Sequence, residues 1–110
     1  MVTHRIERLQ EEIRHNVTQI LLFEIQDPRV RELTITRVVL SRDMGFARIY
    51  YETTKPELRL MVKEGLEQAS GFVRKSLGRH LKLRITPQLE FFYDETSEAI
   101  QKVEELFSKL

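Results

Sequence analysis

The chain has 110 residues, 41% hydrophobic and 32% charged, with a formal net charge of +1 and no cysteine. That length suits one domain, 1–110, with a single modest core, and the missing thiol excludes disulfides and thiolate metal sites. No apolar run nears the ~20 residues of a membrane span, and the charged opening MVTHRIERLQEE lacks a signal-type apolar core, so a soluble cytoplasmic protein is expected.

Between about Thr3 and Ile25, the residues Ile6, Leu9, Ile13, Val17, Ile20 and Leu21 recur at spacings of three and four. They form one apolar stripe on a helix, roughly 33 Å long at ~1.5 Å per residue. Asp27-Pro28 ends it, because the residue before proline is pushed out of the α region. Two strands follow. Leu33–Leu40 is rich in β-branched residues, and Ala47–Thr53 alternates Ala47, Ile49 and Tyr51 onto one face. Asp43-Met44-Gly45 lies between them, with Gly45 expected at positive φ to close the hairpin.

Pro56 and Glu57 suit a helix start. The stripe Leu58, Met61, Val62, Gly65, Leu66 and Ala69 continues in phase as Phe72, Val73, Ser76, Leu77 and His80. Glycine costs a helix ~1 kcal/mol relative to alanine, and Gly/Ser pairs are sites of sharp kinks. The pattern predicts two helices, about 57–69 and 71–81, bent at Ala69-Ser70-Gly71; the alternative is one straight helix. A third strand is expected from Leu83 to Tyr93, with Pro87 at an edge or ahead of pairing because it lacks an N–H. The last helix starts near Thr96, with the stripe Ile100, Val103, Leu106, Phe107 and Leu110; Glu95 and Glu98 suit its start and Lys109 its end. The order α-β-β-α-α-β-α packs most simply as an α+β fold, a three-stranded sheet with helices on one face. The other face is then open; the aromatics Phe46, Tyr50, Tyr51, Phe91, Phe92 and Tyr93 read mostly as core material, with stacking of Tyr50 on a base from the open side as the lesser alternative.

Charge is segregated. From Gln68 to Leu89 there is no Asp or Glu, while Arg74, Lys75, Arg79, Lys82 and Arg84 accumulate there with His80. Glu90 to Leu110 instead holds six acids against Lys102 and Lys109. Arg74, Lys75 and Arg79 fall within about one and a half turns, mostly off the apolar stripe. Such a patch suits phosphates, and a helix starting at the bend would add N–H donors. Ser70 and Gly71 would allow close backbone approach, either of a phosphate or of a packed helix. A solvated face with neighbouring ion pairs is the plainer alternative.

Metal chemistry finds little support. His4 and His15 are ~16 Å apart along the first helix, too far for shared coordination. His80 reads as a packed or capping histidine. Nucleophile elbow, Walker A and dinucleotide fingerprints are missing, and Asp27, Asp43 and Asp94 sit at element ends as turn and cap residues. Neither an enzyme nor a cofactor is expected. A protein-interaction module, using the acidic last helix or a sheet edge, is the alternative to RNA binding.

The ordered segments Glu24-Ile-Gln-Asp-Pro-Arg29, Leu33–Asp43, Ala47-Arg-Ile-Tyr50, Ala69-Ser-Gly-Phe-Val-Arg-Lys-Ser-Leu77 and Leu81–Phe91 with Asp94 resemble the ribosome-binding factor A family. The resemblance covers nearly the whole chain. It implies a type II KH-like fold with a mixed three-stranded sheet, in which an Ala-x-Gly kink, here Ala69-Ser70-Gly71, replaces a Gly-x-x-Gly loop. It also implies a non-catalytic factor that binds the immature small ribosomal subunit. Such a factor assists processing of the ribosomal RNA 5′ end, especially at low temperature, and an assembly GTPase is implicated in its release. A monomer is expected. RNA-facing residues would be Ser70, Gly71, Arg74, Lys75, Arg79, Lys82 and Arg84. Some members carry a charged C-terminal extension; this sequence ends with its acidic last helix.

Overall fold

The computed structural model describes residues 2–109. Its elements are α1 (Val2–Phe23), a 3₁₀ turn (Pro28–Arg31), β1 (Leu33–Leu40), β2 (Phe46–Thr53), a second 3₁₀ turn (Pro56–Leu58), α2 (Arg59–Leu81), β3 (Gln88–Tyr93) and α3 (Glu95–Ser108). The sheet order is β1-β2-β3, with β1 antiparallel and β3 parallel to the central β2. This is the expected α+β class with a mixed sheet. No described helix is long and apolar enough to cross a membrane.

The apolar stripes explain the packing. Ile13, Val17, Ile20 and Leu21 of α1 and Val62, Leu66, Val73 and Leu77 of α2 are almost wholly buried. They cover Ile35, Val38, Leu40, Ala47, Ile49 and Tyr51 on one face of the sheet. Each fully buried aliphatic side chain contributes about 1.5–3 kcal/mol. The molecule is a slab, 53 × 37 × 17 Å. Its far sheet face carries Arg37, Val39, Phe46, Arg48, Tyr50 and Phe92. There the Arg37 guanidinium lies 3.9 Å from the Tyr50 ring centre.

β1 carries a bulge. Ile35 faces Tyr51 and Arg37 faces Tyr50, so Thr36 is an extra residue. Ile35 and Val38, three apart, therefore both point inward. The Thr36 hydroxyl donates to Asp94 Oδ2 at 2.6 Å. Asp94 Oδ1 accepts the Thr96 N–H at 3.0 Å, so the buried carboxylate caps α3. The hydroxyl foremost, then the Thr96 bonds and Arg37, hold that carboxyl below the usual aspartate range.

Four expectations need correction. First, α2 is one continuous helix through Ala69-Ser70-Gly71. A glycine penalty of ~1 kcal/mol is small beside the burial of Ala69 and Val73 on its two sides. Second, Met44, not Gly45, takes the left-handed backbone, with φ 61°. Asp43 Oδ1 accepts both the Gly45 N–H and the Ser41 hydroxyl, which tightens the turn one residue earlier. Third, β3 begins at Gln88, so Leu83–Pro87 is a loop and Ile85 is 75% exposed. Pro87 lies ahead of pairing, as expected. Fourth, Phe72 is largely exposed, off the buried stripe. In α3, Val103, Leu106 and Phe107 are also exposed. The side chains of Glu98 and Ile100, and Leu110, lie outside the described residues.

Candidate nucleic-acid interface

The C-terminal half of α2 and the loop after it form the basic end of the molecule. Gly78 makes their contact possible: a Cβ there would sit 2.4 Å from Thr86 Oγ1. Lys82 ends α2 in the left-handed conformation, φ 51° and ψ 41°, with its N–H returned to the Gly78 carbonyl. Arg74 then fastens the loop. Its Nε donates to the Pro87 carbonyl at 3.0 Å and its Nη2 to the Thr86 carbonyl at 2.8 Å.

A shallow hollow results, lined by Gly71, Arg74, Lys75, Gly78, Arg79 and Thr86. The structure thus gathers Gly71, Arg74, Lys75 and Arg79 from the sequence-predicted set. Ser70 lines a separate groove toward β3. Lys82 and Arg84 are exposed beyond the hollow rather than lining it. Arg74 is half-buried and engaged, so Lys75 and Arg79 are the freer cations. A second correction concerns the bend. With α2 continuous, no helix N-terminus exists at Gly71, and the backbone there supplies no orphan N–H donors. Nor does Gly71 permit a close packing contact: a Cβ there would meet nothing within 4 Å.

Sequence reasoning missed the residue that orients this end. Glu24, just past α1, accepts the Ser76 hydroxyl at 2.6 Å and lies 2.7 Å from His80 Nε2. The Ser76 bond, then His80, holds the Glu24 carboxyl below its ordinary range despite partial burial. His80 is therefore a paired histidine rather than a ligand. One signal was available: Ser76 and His80 lie four apart on an apolar stripe, where two polar side chains need a common partner.

The segment Glu24–Arg29 reaches both halves of α2. Asp27 caps the first 3₁₀ turn by accepting the Arg29 N–H at 3.0 Å. The Arg29 guanidinium binds Asp27 at 2.6 Å and Gln68 at 2.9 Å. Gly65 admits this turn, since a Cβ would lie 3.0 Å from Arg29 Cβ and 3.2 Å from Val30 Cγ1.

Known proteins match this arrangement. The family model described as ribosome-binding factor A matches residues 5–107. A ribosome-binding factor A of Vesicomyosocius okutanii is 39% identical over 98% of this chain and 94% of its own. A solution NMR structure from Thermotoga maritima, described as a ribosome binding factor A, superposes with TM-score 0.72 at 32% identity, over 84% of this chain and 89% of that one. A Thermus thermophilus ribosome binding factor A, a homology model fitted into a cryo-EM map of a 30S complex, gives 0.66 at 27% identity over 81% and 94%. With matched sequence and matched fold, the chain belongs to the ribosome-binding factor A family.

Proposed function

We propose that this protein is a non-catalytic assembly factor that binds the small ribosomal subunit, with the basic end of α2 against ribosomal RNA. The observation that carries the RNA contact is the hollow at Gly71, where Lys75 and Arg79 stand exposed in a stretch without acids. Exposed lysine and arginine side chains in a shallow hollow suit backbone phosphates. The Thermus relative fitted into a 30S complex supports the target. Within this reading the factor acts as a monomer in the cytoplasm. It assists maturation of the ribosomal RNA 5′ end, notably in the cold, and leaves with the help of an assembly GTPase. Ser70, Lys82 and Arg84 flank the contact.

The double variant Lys75→Ala, Arg79→Ala tests it. Neither side chain holds the fold, so the melting temperature should stay within a degree or two, while co-sedimentation with immature small subunits weakens. Each lost phosphate contact should also flatten the salt dependence by roughly 0.7–0.9 in log–log slope. Unchanged co-sedimentation at matched salt overturns the assignment.

A second reading draws on α3, whose Val103, Leu106 and Phe107 are exposed on one face. Such a face suits a protein contact. Binding that survives both ribonuclease and high salt would favour it.

A further inference from the structure

Between Gln68 and Leu89, the stretch without acids, Phe72 is the single Phe, Tyr or Trp, and it stands 44% exposed on α2. It lies ~160° round the helix from Ser70, so it is on the flank turned away from β3. Gln68 and Ser76, about one turn before and after it, are its neighbours on that flank. Both are tied to the chain just past α1, Gln68 by Arg29 at 2.9 Å and Ser76 by Glu24 at 2.6 Å. Phe72 is therefore set between two fixed points, with its outer side open to solvent.

Lys75 and Arg79 follow Phe72 by three and seven residues, which puts them ~60° and ~20° from it round the helix and ~4.5 and ~10.5 Å further along the axis. Both are exposed, and among the described residues neither holds an ion pair or a side-chain hydrogen bond. The acids on this flank are already engaged. Glu24 is bonded to Ser76 and His80 and also feels the Arg79 charge. Asp27 pairs with Arg29 at 2.6 Å, and Glu64 stands 3.9 Å from the same guanidinium. Arg31 adds a further cation, with one N–H held by the Ile25 carbonyl. An exposed ring beside two such cations combines the features that hold single-stranded nucleic acid: the ring stacks on a base and the cations meet the backbone.

We propose that Phe72 is a base-stacking residue: an unpaired base of the ribosomal RNA lies on its ring, and the adjoining phosphates meet Lys75 and Arg79. The ligand is thus a single-stranded or bulged nucleotide. An unbroken duplex does not fit, because its bases are stacked on one another and offer no face to the ring. The inference rests on the assembly-factor reading, and it adds to phosphate binding a means of choosing unpaired over paired RNA.

The chain has no tryptophan, so Phe72→Trp places a single fluorescent reporter at the site. On purified immature small subunits this variant should bind at least as tightly as the parent, with its emission quenched by the stacked base. Phe72→Leu keeps an apolar side chain of higher helix preference and should bind about fivefold or more weakly, with little change in melting temperature. Phe72→p-azidophenylalanine, irradiated on the same subunits, should join to an unpaired nucleotide. A polypeptide adduct, an adduct to a paired nucleotide, or none overturns the stacking proposal, as does unquenched emission from bound Phe72→Trp protein. If Phe72→Leu binds like the parent while the Lys75→Ala, Arg79→Ala protein binds weakly, stacking is overturned and the RNA reading stands. If neither change weakens binding, the RNA reading falls and stacking falls with it. Should Phe72→Leu fail to fold, the quenching and the adduct decide alone.

Discussion

The two halves of α2 are built alike and charged differently. Before Gly71, the helix carries Arg59, Lys63, Glu64 and Glu67, and it receives the Pro28–Arg31 turn through the gap left by Gly65. After Gly71, it carries only bases, and it receives the 82–87 loop through the gap left by Gly78. Each half is tied from the chain just beyond α1: the first by Arg29 to Gln68, the second by Glu24 to Ser76 and His80. One packing device, a glycine that lets a loop lie on a helix, thus presents two surfaces of different chemistry.

The largest expected effect comes from closing one of those gaps. Gly78→Ala forces a methyl into Thr86, and overpacking of this kind costs about 1–3 kcal/mol. The gain in helix propensity returns ~1 kcal/mol, so a net loss of up to about 2 kcal/mol is expected in denaturant unfolding. A stabilised Gly78→Ala protein would mean that the loop is not held on α2.

A smaller effect tests the tie from α1. The folded-state pKa of Glu24 is depressed, so its contribution is present above its ordinary value and lost as pH falls through the lowered one. Melting temperature should therefore decline on acidification below about pH 4.5. Glu24→Gln should lose about 1 kcal/mol near neutrality and show a shallower acid decline than the parent. Parallel pH profiles for the two proteins would remove Glu24 from the account.

The smallest effect lies at the junction. Gly71→Ala adds a methyl to open space in a continuous helix, and should stabilise by several tenths of a kcal/mol to ~1 kcal/mol. If RNA approaches Gly71 closely, the same variant weakens subunit binding while melting higher. Opposite signs in calorimetry and co-sedimentation would mark that position as contact surface rather than packing.

Much of the fold was legible because periodicity decided it. The stripe from Ile13 to Leu21 and the alternation of Ala47, Ile49 and Tyr51 placed α1 and β2 within a few residues. Asp27, Asp43 and Asp94 were legible as caps because their side chains bond to backbone two residues on. The segment 83–87 was misread because Leu83, Ile85 and Pro87 imitate strand alternation, whereas the left-handed Lys82 and the grip of Arg74 hold it as a loop. At the site, the acid-free run located Lys75 and Arg79. It could not reveal that Arg74 is occupied, since its acceptors are backbone carbonyls twelve and thirteen residues away. Glu24 was beyond reach for the same reason: its partners lie 52 and 56 residues along the chain.

The bulge in β1 has a consequence for how this strand tolerates editing. In a regular strand, losing one residue turns everything on one side of the cut inside out. Here Ile35 and Val38 are already three apart and both inward, so excising Thr36 would restore strict alternation and leave every buried side chain of β1 in phase. The deletion would instead take away the hydroxyl that binds Asp94. Thr36 is a letter that can be struck from the strand without garbling it, and the word it spells belongs to the last helix.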